Sequence, residues 1–595
     1  MSNFLKVLLG SCLGTLVALV ALFFIGFGAI AGLAGSGEEK PTVVANSVLT
    51  LDLDGLPELT GNVPVEGFNF ELDDKGVLGL HDVLRAIERA KTDDDIKGIY
   101  LNSGAQPGGI TKLSKLRDAL VDFRESGKFV VSYAPFYDQS GYYLASAGDE
   151  IYVGPLGVVD FRGLGAEIPF YKNMLDKVGV RFEVFYAGDF KSATEPFRLT
   201  EISDSNRLQT REYLNGLWDI MSQDIATSRN LSQSTVRSLA SNLTGWKEQA
   251  AVDAGLIDGV YRRSEVDARL HELLGTELDD KIETVKVDKY FHARLNSLSG
   301  GDDQVAVLFA EGGIVDGKAD PGGIGDKNYV KEIDKLIEND DVKAVVLRVN
   351  SGGGSASSSE NIWYAFERLK QAGKPYVVSM GNVAASGGYY IAANADSIFA
   401  EPSTITGSIG VFMMFPMMEE LMNERIGINF DTVNTAQYSN AFSPFRPLSD
   451  GAQEILQQRT LSIYETFLDR VAAGRPGLNK EQVRRIAGGR VYTGRRALEI
   501  GLVDRLGGLD EAISAAATLA GLDADDVTVG QYPRMKTPLE QLIEEFLGED
   551  AVPDQVSAAV VRKQLGEENY RHFELLKEMT QVNKAQCLLP VVINF

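Results

Sequence analysis

Ser408 lies in Gly407-Ser408-Ile409-Gly410, a glycine turn between a strand-like run, Ser397–Ala400, and an apolar, methionine-rich run that starts at Val411. A serine hydroxyl becomes a nucleophile once a base takes its proton, and acyl transfer also needs N–H groups aimed at the developing oxyanion. Some way upstream, Asn350-Ser351-Gly352-Gly353-Gly354-Ser355 offers such a backbone, closing the strand-like run Ala344–Val349. Together the two stretches point to acyl transfer with Ser408 as nucleophile. Neither brings a base. The histidines, His81, His271, His292 and His572, are scattered far from Ser408, so a Ser-His-Asp triad has little to build on.

The surrounding pattern is α/β. Gln304–Phe309 reads as a strand, and Val330, Ile333 and Ile337 form a helical stripe. Ala344–Val349 is a short apolar strand, and Asn361–Ala372 a helix with Ile362, Ala365, Phe366 and Leu369 on one face. Tyr376–Met380 is the next strand, Ala385–Ala393 a helix opening at a glycine pair, and Ser397–Ala400 another strand. Strands alternating with helices imply parallel crossovers and sheets covered by helices. A glycine loop at the C-terminal end of such a strand is where ligands bind in these sheets.

The pattern occurs twice. Asp95-Ile96-Lys97-Gly98 recurs as Asp341-Val342-Lys343-Ala344, and Ser140-Gly141-Tyr142-Tyr143 as Gly387-Gly388-Tyr389-Tyr390. Asp149 then matches Asp396, Pro196-Phe197-Arg198 matches Pro444-Phe445-Arg446, and Ala254–Asp258 resembles Ile500–Asp504. Matches kept in one order mark a diverged tandem repeat. The expected organisation is a membrane anchor over 1–35, a linker over 36–45, a first repeat over 46–300, a second over 301–535, and a helical extension over 536–595.

Comparing the repeats locates a base. Ser408 falls opposite Phe161, so the first repeat has no nucleophile there, and its glycine loop is degraded to Asn102-Ser103-Gly104-Ala105-Gln106-Pro107-Gly108-Gly109. Conversely, Lys191 falls opposite Ser439. One repeat kept a lysine and the other a serine. A lysine is a general base only as the neutral amine, and lowering its pKa from about 10.4 to about 7 takes roughly 4–5 kcal/mol, which burial can supply. Phe190, Ala193, Pro196 and Phe197 give Lys191 apolar neighbours, whereas Asp189 and Glu195 would hold the proton on unless they face solvent.

These residues carry a family resemblance. Thr406-Gly407-Ser408-Ile409-Gly410-Val411 and Phe190-Lys191-Ser192-Ala193-Thr194-Glu195-Pro196-Phe197, with Gly489–Ala497, resemble the long, tandem-repeat signal peptide peptidases of serine protease family S49. The resemblance implies two tandem ClpP/crotonase-like domains and a Ser408/Lys191 dyad working through an acyl-enzyme. The oxyanion donors would be the N–H groups of Gly353 or Gly354 and of Ile409, with no metal or other cofactor. It also implies a homo-oligomer, a tetramer by family resemblance, that degrades cleaved signal peptides and other apolar peptides at the membrane. The family loop reads Asn-Ser-Pro-Gly-Gly where this chain has Gly352, which leaves the loop less pre-organised. The competing readings are a crotonase-like acyl-CoA enzyme, which needs neither Lys191 nor an anchor, and a non-catalytic membrane scaffold.

The remaining features set the context. A formal net charge of −25 argues against nucleic-acid binding, and two cysteines, Cys12 and Cys587, make neither a disulfide framework nor a Cys metal site. Val7–Ala34 carries no charge and as a helix reaches about 42 Å, enough to cross a bilayer core of about 30 Å with tilt. Lys6 precedes that run, so the positive-inside rule places the amino terminus in the cytoplasm and the catalytic domains in the periplasm, on an inner-membrane, single-pass anchor. Leu539, Leu542, Ile543, Phe546 and Leu547 form a helical stripe whose polar face is acidic, suited to packing on protein rather than on lipid. The tail beyond it suggests no assignment.

Overall fold

Strands rich in Val, Ile and Leu on both faces belong in parallel sheets covered by helices, and this chain builds one such sheet and a second that is parallel but for an antiparallel edge strand. A computed structural model describes residues 42–595 apart from 52, 54, 60–76, 103, 107, 296–301, 320–321, 525–526, 534–585 and 589–595. The apolar run Val7–Ala34 and the stripe Leu539–Leu547 lie outside the described residues. Among the described residues no helix is long and apolar enough to cross a membrane.

The first half carries β1 (Ser47–Leu51), β2 (Ile96–Leu101), β3 (Phe129–Tyr137), β4 (Glu150–Val159), β5 (Arg181–Ala187), β6 (Gly259–Val260) and β7 (Thr284–Lys286). Helix α1 (Ile110–Glu125) follows β2, and α2 (Gln139–Ala145) follows β3. The first sheet runs β6-β4-β3-β2-β1-β7, parallel throughout.

The second half carries β8 (Gln304–Glu311), β9 (Ile314–Val315), β10 (Ile324–Gly325), β11 (Val342–Ser351), β12 (Gly353–Ser355) and β13 (Tyr376–Ala385). It continues with β14 (Ser397–Ala400), β15 (Ile405–Gly407), β16 (Val411–Met417), β17 (Val491–Thr493), β18 (Arg505–Leu506) and β19 (Thr528–Tyr532). Helix α3 (Ala356–Gln371) follows β12, and α4 (Gly387–Ala392) follows β13. The second sheet runs β17-β15-β13-β11-β8-β19, with β14 beside the first part of β13 and β18 beside β14.

Period-two alternation fills both faces of this sheet. Leu308, Leu347 and Val378 pack with Ile362, Phe366 and Leu369 of α3 on one side. Val307, Val346 and Val377 pack with Ala512, Ile513 and Ala516 on the other.

The repeat is visible in matching hydrogen bonds. Tyr142 donates to the Leu256 carbonyl at 2.9 Å, as Tyr389 does to the Leu502 carbonyl at 2.8 Å. The Asp258 carboxylate accepts the Ile151 N–H and pairs with Arg229, as Asp504 accepts the Ile398 N–H and pairs with Arg475. Asp149 and Asp396 cap the equivalent strands at Val130 and Tyr376.

A third sheet joins the halves. It runs β10-β9-β12-β20-β16-β5, where β20 is Gln586–Leu588. In it β16 and β5 pair antiparallel from Val411 opposite Ala187 to Met417 opposite Arg181. The strand that leaves the Ser408 turn is thereby zipped to the strand that leads to Lys191.

Two elements extend five residues past a predicted end. Helix α3 begins at Ala356 rather than Asn361, because Ser355 caps it by accepting the Ser358 N–H at 3.3 Å. Strand β13 runs to Ala385 rather than stopping at Met380. Gly381, which reads as a breaker, is there because a Cβ would lie 2.8 Å from Glu58 Oε1 and 3.2 Å from Asn350 Cβ. That extension carries the strand to the serine described next.

Candidate active site

Ser386 stands at the junction of β13 and α4 with φ 56° and ψ −117°, a conformation that L-residues other than glycine seldom adopt. Its N–H donates to the Gly407 carbonyl at 2.8 Å, which fixes the turn against the neighbour of Ser408. Glycines follow it because α4 lies on the glycine loop. A Cβ at Gly387 would lie 3.1 Å from Gly353 Cα and Gly354 N, and one at Gly388 would lie 2.5 Å from the Ser351 carbonyl oxygen.

Ser408 also has positive φ, 50°. Its N–H donates to the Arg490 carbonyl at 2.7 Å, the Gly489 N–H donates to the Ile409 carbonyl at 2.8 Å, and the Phe190 N–H donates to the Gly488 carbonyl at 2.9 Å. One tripeptide, Gly488–Arg490, therefore holds the backbone on both sides of the site. Gln209 reinforces it, donating to the Phe190 carbonyl at 3.0 Å and accepting the Val491 N–H at 3.3 Å.

The lysine meets both serines within a single chain. Lys191 Nζ lies 2.7 Å from Ser386 Oγ, 3.1 Å from Ser408 Oγ and 3.2 Å from the Ser408 carbonyl oxygen. Lys191, Ser386 and Ser408 are all buried, with 1%, 0% and 0% exposure. An ammonium group there donates to three oxygens. A neutral amine can accept from the Ser386 hydroxyl and still donate twice to Ser408, so either protonation state fits without rearrangement.

The groups around Lys191 fall in two sets. Ala193 and Phe197 pack with Phe412 and Met414 of β16, while Met413 and Met417 turn to the other face against Phe185. Asp189 faces solvent, as the sequence reading required. Glu195 does not: it is buried and engaged, accepting from Ser203 Oγ at 2.6 Å and Asn206 Nδ2 at 3.0 Å.

The expected oxyanion donors sit as follows. The Gly353 N–H donates to Ser351 Oγ at 3.1 Å. Gly354, φ 157°, has its nitrogen beside Gly387 and its Cα so close to β9 that a Cβ would lie 2.0 Å from the Ile314 carbonyl oxygen. Ile409 is fully buried behind Ser408.

The sequence reading passed over Ser386. In the repeat register set by Tyr142 and Tyr389 it lies opposite Gln139, whose Oε1 accepts the Arg162 and Gly163 N–H groups at 3.2 and 2.8 Å. Phe161, opposite Ser408, is buried against Tyr142 and Trp218. Ser439, opposite Lys191, bonds only locally, to the Ala436 carbonyl at 3.1 Å. A comparison of the repeats at Gln139 and Ser386 would have raised the second serine.

A buried charge cluster spans the halves behind the glycine loop. Arg348 Nε lies 2.9 Å from Glu58 Oε2, and Lys112 Nζ of α1 lies 3.4 Å from Glu58 Oε1 and 3.1 Å from Glu311 Oε1. Glu311 Oε1 also accepts from Asn350 Nδ2 at 3.1 Å, and Asn350 Oδ1 accepts the Val383 N–H at 3.2 Å, tying the loop to β13. Burial would push the Glu58 carboxyl up, but Arg348 and then Lys112 outweigh it and hold it below the usual carboxylate range.

The model of peptidase family S49 matches twice, over residues 122–277 and 368–523. The chain is 35% identical to Protease 4 of Haemophilus influenzae over 527 residues, covering 84% of this chain and 83% of that protein. It is 34% identical to Protease 4 of Salmonella typhi, with 82% and 80% covered. It is 31% identical to the chloroplastic serine protease SPPA of Arabidopsis thaliana, with 76% and 68% covered.

Proposed function

Because this chain belongs to peptidase family S49 and is a serine peptidase, we propose that Ser386 is its nucleophile, Lys191 the base, and Ser408 the residue that holds the lysine. The carrying observation is the 2.7 Å contact of Lys191 Nζ with Ser386 Oγ, at a strained strand-to-helix turn beside the glycine loop. Ser408 had been the expected nucleophile. Its double contact with Nζ, through Oγ and the carbonyl, suits a positioning role better.

In this mechanism Lys191 takes the Ser386 proton as Oγ attacks the peptide carbonyl. The N–H groups of Gly387 and Gly354 receive the oxyanion. Of the expected donors, Gly353 or Gly354 with Ile409, Gly354 is kept because Ser351 engages the Gly353 N–H, and Gly387 takes the place of Ile409, which adjoins the other serine. Lys191 then protonates the leaving amine, and a water repeats the cycle to release the acyl group. Burial disfavours the ammonium form of a lysine and so favours a base.

The substrates are cleaved signal peptides and other apolar peptides. Val7–Ala34 anchors the chain in the inner membrane with the catalytic repeats in the periplasm, and ClpP-type domains assemble as a homo-oligomer around the sites. The buried contact of Lys191 with two serines favours this reading over an acyl-CoA enzyme or an inert scaffold, neither of which needs it.

Fluorophosphonate labelling with adduct mapping tests the assignment. The adduct is expected on Ser386, abolished in Ser386→Ala and slowed in Ser408→Ala. An adduct on Ser408 that survives Ser386→Ala would overturn it.

A further inference from the structure

We propose that Asp316 is a positioning residue for the reaction, one that holds the Gly354 N–H in place for the oxyanion; the inference rests on the site assignment above.

Three successive glycines, Gly352–Gly354, carry the loop past the site. Gly353 stands at φ 100°, a conformation that suits glycine alone. With no side chain to restrain this stretch, its two ends must do so. The upstream end is tied by Asn350 to Glu311 and by Ser351 Oγ to the Gly353 N–H. The downstream end runs straight into α3, and there one carboxylate oxygen gathers the first residues of the helix. Asp316 Oδ1 accepts from the hydroxyl of Ser355, from Ser357 at 3.2 Å and from Ser358 at 2.5 Å.

Helix α3 already has a cap, since Ser355 Oγ accepts the Ser358 N–H. What the carboxylate adds is a link from α3 to β9. Ile314 of β9 is in register with Gly354, Asp316 lies two residues beyond Ile314, and Ser355 follows Gly354 in the chain. The bond from Ser355 to Asp316 therefore closes a ring that contains Gly354. Asp316 is itself anchored: the Gly317 N–H donates to Asp326 Oδ1 at 2.6 Å, and Asn361 of α3 donates to Asp326 Oδ2 at 2.7 Å. Hydroxyl donors on an ionised carboxylate form bonds about twice as strong as neutral ones, and a helix N-terminus favours the negative charge. Opening the ring lets the Gly354 N–H swing away from the oxyanion. The loss falls on the transition state and leaves ground-state binding of the peptide alone.

Full-chain Asp316→Ala, Asp316→Asn and Ser358→Ala are compared with the parent. A fluorescence-quenched apolar peptide gives kcat and KM, and melting curves give the folded fraction. An apolar peptide aldehyde, whose adduct with Ser386 places its oxygen among the loop N–H groups, reports on the oxyanion site. Asp316→Ala is expected to lower kcat about thirtyfold and to weaken the aldehyde by the same factor, with KM within about twofold of the parent. Asp316→Asn keeps an acceptor oxygen without the charge, and should lose only about fivefold in both. Ser358→Ala, which removes the 2.5 Å donor and leaves the carboxylate, should also lose about fivefold. Asp316→Asn is isosteric with the parent and carries the same test if the alanine chain does not fold. A lower melting temperature with kcat and aldehyde affinity unchanged would reduce Asp316 to a helix cap and overturn the proposal, as would a loss confined to KM. Failure of the Ser386 assignment shows elsewhere, as a fluorophosphonate adduct that persists in the Ser386→Ala chain.

Discussion

A Cβ on Gly489 would lie 2.6 Å from the Lys191 amide nitrogen and 2.7 Å from its Cα, so backbone from the second repeat runs in direct contact with the lysine from the first. With the Gly488 and Arg490 carbonyls bonded to the N–H groups of Phe190 and Ser408, this contact fixes the separation of Lys191 and the serines.

Gly489→Ala should therefore damage activity more than folding. Its φ of 81° and the lack of room both penalise a side chain, and displacing the lysine backbone by about 1 Å costs on the order of 100-fold in kcat. Arg490→Ala keeps the carbonyl that holds Ser408. It removes stacking on Phe190 at 4.9 Å, worth about 0.5–1 kcal/mol. Steady-state kinetics on both variants, with melting curves, should show a large kcat loss for the first alone.

The two serines should separate in magnitude. Ser386→Ala removes the proposed nucleophile and should drop kcat by roughly 10⁴-fold or more. Ser408→Ala removes one hydrogen bond to the lysine while leaving its carbonyl, worth about 1.5–3 kcal/mol, so a loss of roughly ten- to a hundredfold is expected. Equal losses would show that the two hydroxyls act as one unit.

Ser351→Ala tests the loop that has Gly352 where the family has proline. It strips the Gly353 N–H of its acceptor in a buried site, at about 1–3 kcal/mol. Part of that should appear as a kcat loss of about tenfold, restored in Ser351→Thr.

Glu58 sets a pH dependence of stability. Its carboxyl titrates lower folded than unfolded, so its ionisation contributes stability that is complete above the unfolded value of about 4.3 and is lost as pH falls through the lower folded value. Glu58→Gln leaves Arg348 and Lys112 without that carboxylate and should cost roughly 3–5 kcal/mol at neutral pH. In urea unfolding across pH, the gap to the parent should begin to narrow below about pH 4 and close only once the folded carboxyl is protonated.

Much of the site is legible in the residues themselves. The tandem repeat, the strands Ala344–Val349 and Ser397–Ala400, the glycine loop and the pairing of a first-repeat lysine with a second-repeat serine all follow from local pattern and from comparing the halves. Each depends on short-range periodicity or on what one copy kept and the other lost. The fate of Glu195 is not legible, because nothing in its neighbourhood in the sequence announces Asn206 as its partner.

The sequence by itself pointed Lys191 at a serine in the sister repeat. Only the tertiary structure shows that two serines, Ser386 and Ser408, meet it. Gly381 looks like the end of a strand, yet β13 passes through it: the missing side chain leaves room for Glu58 and Asn350, and Val383–Ala385 go on to pair with Ile405–Gly407. The strand therefore delivers Ser386, not only Ser408, to the lysine. Contacts between residues on different elements, far apart in the chain, set that geometry, and local pattern carries no record of them.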